Sequence, residues 1–208
     1  FKQRVRLYDA TNSSTARNPL REIVFYTKIP SMKTFSVSSD ECIIVAGVEE
    51  YVTRISLCDD VPRPSAKSPW NDLEHHNDTT EGVIIEWYEK THHQFHSSIY
   101  DPQTKGFFVF NSAWNAKHTP VFFIPDDRFK GLQSIVHYVG YIVNAGGPHG
   151  LSRAMHSTNN KGKNVTYITA ASTYNANLLL CAFDSEYFLR RDFSNTNEGW
   201  NCRHVGLS

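Results

Sequence analysis

The sequence predicts an α+β (mixed α/β) domain, and three observations carry that prediction. Short runs rich in Val, Ile, Phe and Tyr recur along most of the chain, closed by Pro, Gly, Asp or Asn. One segment, FKGLQSIVHYVGYIVNAG (129–146), places apolar residues at 132, 135, 136, 139, 142 and 143, which is helical spacing. No internal repeat, low-complexity tract or linker divides the 208 residues. They are read as one domain, 1–208, long enough to bury a sizeable core.

The elements follow in order. EIVFYTKI (22–29) is an apolar run ended by Pro30. CIIVAG (42–47) and YVTRISLC (51–58) are consecutive strands. DDVPRPSAKSPWNDLEHHND (59–78) is dense in Pro, Asp, Ser and Asn and reads as an exposed loop. EGVIIEWYE (81–89) is a strand. HSSIYD and KGFFVFNSA, joined across Pro102-Gln103-Thr104, form a β-hairpin. VFFIP (121–125) is a strand, and the helix of 129–146 follows it, stopped by Gly146-Gly147-Pro148. The stretch around STNNKGKNV is polar and loop-like. VTYITAA (165–171) and NLLLCAF (177–183) are strands, and the tail from Asp192 shows no clear element.

Acidic and basic residues balance at 21 each, so no global basic field draws nucleic acid to this chain. Binding of a polyanion would need a local patch. No apolar run reaches the roughly 20 residues that span a membrane. The opening FKQRVRLYDA has no hydrophobic signal core, as in a mature secreted chain and equally in a cytosolic one. Sequons at Asn12, Asn77 and Asn164 permit glycosylation. The expected location is therefore extracellular, or an acidic lysosome-like compartment. None of the four cysteines sits in a CxxC pair, which argues against structural zinc. They fit two disulfides or four buried thiols. Cys42 and Cys58 lie in consecutive strands joined by a Gly-containing turn, so a cross-strand pair is geometrically reasonable. Cys181 with Cys202 follows by elimination.

EKTHHQFHSSIYD (89–101) gathers three of the ten histidines, His92, His93 and His96. Histidine changes charge near neutral pH, which suits acid–base work. His93 and His96 are the candidate catalytic residues. His92 and His96 would share a face on a helix or on a strand, as a metal pair requires, but no metal or other cofactor is expected. Exposed histidines at a strand end are the plainer reading. Asn201-Cys202-Arg203-His204 could pair a thiol with His96, although a disulfide is the expected fate of Cys202.

Three stretches, in order, resemble the deoxyribonuclease II family, the acid endonucleases of the phospholipase D superfamily. They are EIVFYTKIP (22–30), ISLCDDVPRPSAKS (55–68) and IYDPQTKGFFVFNSAWN (99–115). The last matches a hairpin in which an aliphatic strand ends in Asp and returns after a turn. NANLLLCAF (175–183) is a fourth, weaker match. The resemblance implies a mixed sheet flanked by helices. It also implies metal-free phosphodiester hydrolysis, in which a His-x-Lys motif supplies the nucleophile or acid and holds the phosphate. Family members carry two similar halves, each with one such motif, and this chain resembles the first half.

The motif itself is not retained. Aligned one way, Thr79 and Glu81 take the places of His and Lys; aligned the other way, His93 is kept and Phe95 replaces the lysine. No histidine in the chain is followed two residues later by lysine. The expectation is a secreted deoxyribonuclease II-like protein with impaired or absent catalysis, binding DNA or a partner protein, and completed by a homodimer or by a missing second half. One alternative is an acid nuclease with His93 or His96 and a lysine such as Lys90, Lys105 or Lys117. A second is a secreted β-rich binding module, marked by a structure without the layered sheets and helices of that superfamily.

Overall fold

A computed structural model describes residues 2–8, 21–26, 32–48, 51–56, 77–79, 84–90, 95–111, 118–126, 136–143, 154–171 and 178–205. The first strands are β1 (Lys2–Leu7), β2 (Arg21–Tyr26), β3 (Met32–Val37), β4 (Ile43–Val48) and β5 (Tyr51–Ser56). Next come β6 (Asn77–Thr79), β7 (Ile84–Lys90), β8 (Phe95–Asp101), β9 (Gly106–Asn111) and β10 (His118–Pro125). The rest are β11 (His137–Val143), β12 (Met155–Thr158), β13 (Asn164–Ala171), β14 (Leu178–Asp184), helix α1 (Ser185–Arg190) and β15 (Trp200–Val205).

These strands form four sheets, ordered β1-β2-β6, β3-β4-β5-β7, β11-β10-β9-β8 and β12-β13-β14-β15. Every pairing is antiparallel. The expected α+β class, with helices flanking a mixed sheet, is therefore overturned. Among the described residues the only helix is the six-residue α1.

The central sheet, β8 to β11, is covered on both faces along its inner strands β9 and β10. Phe107, Phe108, Val109 and Phe110 of β9 are all fully buried. Phe108, Phe110, Val121 and Phe123 point to the β12–β15 sheet, where Ile168, Leu179 and Phe183 meet them. Phe107, Val109, Phe122 and Ile124 point the other way, onto Ile43 and Val45 of β4. An antiparallel sheet commonly leaves one face in water and so alternates apolar with polar residues. Here the runs FFVF and VFFI do not alternate, because neither face is wet. The ring of Phe108 is central, with Phe183 at 4.0 Å, Phe123 at 5.0 Å and Phe188 at 5.0 Å between centroids.

The predicted helix of 129–146 is β11 over residues 137–143. The physical reason is a β-bulge. Val121 lies opposite Gly140 and Phe122 opposite Tyr138, so Val139 is an extra residue. The insertion shifts the alternation by one, so Val139 and Ile142 are both buried on one face. A period of two with one added residue reproduces the i, i+3 spacing of a helix. Gly140 is required at this bend, with φ +136°; a Cβ there would lie 2.1 Å from Asn197 Oδ1.

The polar tail also differs from expectation, since it carries β15. Asp184 ends β14 and caps α1, accepting from the N–H groups of Glu186 and Tyr187. Arg191 closes the helix in the left-handed region. Its guanidinium donates to the carbonyls of Thr104 and Lys105, which ties the helix end to the β8–β9 turn. The predicted loop 59–78 lies outside the described residues except for Asn77 and Asp78, which belong to β6.

Two outcomes are expected from this packing. Phe108→Ala should lower unfolding free energy by about 3–5 kcal/mol in urea denaturation, since it empties a site closed on all sides. Replacing Cys181 and Cys202 together by Ala should cost about 3 kcal/mol, because the bridge closes a loop with a sequence separation of 21.

Candidate functional site

Two polar places stand out among the described residues. The first is Asp101, a fully buried carboxylate at the end of β8. Its Oδ1 accepts from Gln103 N–H at 3.2 Å and pairs with His156 Nε2 at 2.7 Å. Its Oδ2 accepts from Thr104 N–H at 3.1 Å, Thr104 Oγ1 at 2.7 Å and Thr166 Oγ1 at 2.8 Å. Because Thr166 gives its proton to Asp101, Ser185 Oγ, 3.4 Å away, is the donor to Thr166. A charge out of water is tolerated only when its lone pairs are filled, and here five contacts fill them.

His156 is held by Asp101 with its side chain 38% exposed. A carboxylate orienting an imidazole is half of an acid–base machine. The other half needs a nucleophile or a phosphate-binding cation beside the ring. Among the described residues no hydroxyl, thiol or lysine hydrogen-bonds to His156. Lys163, on the following turn, donates instead to Asp184 at 3.1 Å. The Asp101 network thus reads first as a lock between the β8–β9 hairpin and strands β12 and β13.

The second place is a cleft of about 430 Å³, within the span of about 300–1,000 Å³ usual for ligand pockets. It lies between the edge strands β11 and β15 and is lined by Tyr141, Val143, Asn197, Trp200, Cys202 and His204 among others. Among the described residues no Asp, Glu, Lys or Arg lines it. Trp200 stacks on Phe183 at 5.7 Å and its Nε1 donates to the Val139 carbonyl at 2.8 Å. Asn197 N–H donates to the same carbonyl, and Asn197 Oδ1 accepts from Tyr141 N–H. At the far end His204 Nε2 stands 3.5 Å from the Val143 carbonyl. Tyr141, Val143, Leu178 and Val205 are large apolar residues left exposed on these two edges or beside them.

The residues singled out in the sequence are not brought together at either place. His93, Glu81, Asn12 and Cys58 lie outside the described residues. His96 is the extra residue of a β-bulge in β8, between Phe95 opposite Asn111 and Ser97 opposite Phe110. Thr79 lies opposite Ile23 in the β1-β2-β6 sheet and Asn77 opposite Phe25. Asn164 is exposed at the start of β13, while Thr166 of the same sequon is buried against Asp101. The Cys181–Cys202 bridge is present as expected. Cys42 is also disulfide-bonded, and its expected partner Cys58 lies outside the described residues.

Sequence reasoning passed over His156, Asn197 and Trp200. Asp101 was legible as a turn-former, since Asp-Pro-x-Thr bonds its own backbone two and three residues on. An isolated His in MHST gives no such sign. No group of three or more His, Cys, Asp or Glu among the described residues is placed to hold a metal ion. No helix among them is long and apolar enough to cross a membrane.

Two titrating groups link this region to pH. Burial lowers the His137 pKa, and the neighbouring Arg191 charge lowers it further. Burial alone would raise the Asp184 pKa; the bonds from Lys163 and from the backbone of Tyr187 and Glu186 outweigh it and hold the carboxyl below its usual range.

No protein-family model matches this chain, nor does any curated protein or solved structure.

Asp101→Asn should cost at least about 2 kcal/mol by chemical denaturation, because the amide turns a donor on donors in a buried site. His156→Ala should cost under about 1 kcal/mol, as expected of a partly exposed pair. The His137 pKa lies lower in the folded than in the unfolded chain, so the unfolded chain takes the proton first on acidification. Stability should fall as pH drops through about 6.5. His137→Phe should flatten that part of a pH series of denaturation midpoints.

Proposed function

We propose that this chain is an extracellular, disulfide-stabilised β-sheet binding module that meets its partner at the β11/β15 cleft. The observation that carries this reading is the double burial of the central sheet. It leaves no open face on β9 or β10 for a site. The cleft combines exposed aromatic and aliphatic side chains with side-chain amides and an imidazole. That is the mixture from which recognition sites are built. The layered sheet-and-helix arrangement that a deoxyribonuclease II-like chain requires is not the architecture found.

A second reading rests on Asp101. It ends a strand where the hairpin of the deoxyribonuclease II family ends in Asp, and it orients His156. An acid nuclease working there would use His156 rather than His93 or His96. The impaired-nuclease reading, in which the chain keeps affinity for DNA or a partner protein, is carried by the same hairpin.

One set of experiments separates them. The folded protein is presented to peptide and glycan arrays and, separately, to plasmid at about pH 5 and about pH 7.5, in EDTA and in magnesium. The binding reading expects saturable retention of one ligand class, lost when Val143→Glu places a charge in the cleft, and no nicking. Nicking in EDTA that disappears with His156→Ala would replace it with the nuclease reading. DNA retention without nicking, unaffected by Val143→Glu, would favour the impaired nuclease.

A further inference from the structure

Resting on the binding reading above, we infer that the occupant of the cleft is an uncharged extended peptide, added as a strand between β11 and β15. Four features of the two edges carry this.

The first is where their backbones point. In an antiparallel strand the N–H and C=O of one residue point to the same side, and successive residues alternate sides. Asp184 N–H donates to Gly199 O, so Gly199 faces β14. Trp200, Cys202 and His204 therefore turn their backbone groups away from β14. The Cys181 and Cys202 Cα atoms are 4.0 Å apart, the short spacing of a pair that exchanges no ladder bonds, about 4.5 Å against about 5.5 Å. On β11, Val139 O and Tyr141 N–H both bond outward, to Trp200 and Asn197. Opposite Tyr141 stands Pro120, which has no N–H to offer. Tyr141 C=O and Val143 N–H thus point to the same edge, and both edges present backbone to the cleft.

The second is width. The edges meet through ring side chains, Trp200 at one end and His204 at the other, not through backbone bonds. A strand inserted between two others needs two inter-strand spacings, about 9.5 Å. Rings projecting from one edge to the other hold a gap of that class open.

The third is direction. Trp200 meets Val139 and His204 meets Val143, so β11 and β15 run the same way. One added strand can then be antiparallel to both, in keeping with every other pairing in the fold. It would close one side of the sandwich. The opposite side, where β8 and β12 are the edges, is already joined by Asp101 and His156.

The fourth is side-chain chemistry. With no Asp, Glu, Lys or Arg among the described lining residues, a charged occupant would be stripped of water without a partner there. The exposed Tyr141 (40%) and Val143 (51%) offer apolar contact to alternate side chains of the incoming strand.

The probe is a set of blocked peptides about seven residues long, in which Thr alternates with Val, Leu, Tyr or Phe. Binding is read by fluorescence anisotropy and by amide chemical shifts. At least one peptide should bind saturably and shift the Tyr141, Val143 and Cys202 amides. N-methylation of alternate peptide amides in one register should weaken it by about tenfold, and the other register should be tolerated. Val143→Pro removes an edge N–H without removing a ladder bond, so the protein should still fold and lose about tenfold in affinity; Val143→Leu should keep it. A thermal melt matching the unsubstituted protein verifies the fold of each variant. Binding indifferent to N-methylation and to Val143→Pro overturns the strand inference. A glycan that fills the cleft while every peptide fails also overturns it, but leaves the binding reading standing. Failure of peptides and glycans alike overturns both.

Discussion

Water reaches neither face of strand β9, and the rest of the structure follows from that. With Phe107 through Phe110 all sealed, β9 has no side on which a polar residue can stand. Polarity is pushed to the strand ends and to the sheet edges. Asp101 occupies an end, immediately before the turn that feeds β9. The cleft occupies an edge. A sheet with one wet face could have spread polar groups across its surface; this one leaves them at its margins.

The two margins of the β8–β11/β12–β15 sandwich are closed by different means. Where β8 meets β12 and β13, a buried carboxylate accepts from a backbone turn, two threonine hydroxyls and an imidazole. The bonds are short and the oxygens are saturated. Where β11 meets β15, an indole and an asparagine hold one end, against the bulge at Val139, and a single imidazole stands 3.5 Å from the Val143 carbonyl at the other. One margin behaves as a weld and the other as a loosely stitched seam.

How far this could be read in advance depended on burial. EIVFYTKI, CIIVAG, YVTRISLC and NLLLCAF were legible as strands because strands concentrate β-branched and aromatic residues. MHST and WNCRHV were not. Their residues are mostly exposed, and pairing with β13 or β14 demands nothing of an outward side chain. The false helix at 129–146 arose from the opposite problem, an apolar pattern whose phase was shifted by one inserted residue. The site was less legible still. Asp101 announces a turn, but its bond to His156 spans 55 positions and depends on the register of two sheets. Trp200 reaches Val139 across 61 positions for the same reason. Contacts of that range are settled by packing, and no local pattern encodes them.

The Cys181–Cys202 bridge has a mechanical consequence. It joins β14 to the edge strand β15 near the middle of their ladder, at directly opposed residues. An edge strand held by hydrogen bonds alone peels from its end, breaking one pair at a time under modest force. With a covalent rung in place, tension on β15 passes through sulfur into β14. From there it reaches the buried interior of the sandwich. Unzipping must stop at that rung, so a tether pulling on this margin would load the whole core in parallel. The margin that is least sealed chemically is in this respect the best anchored.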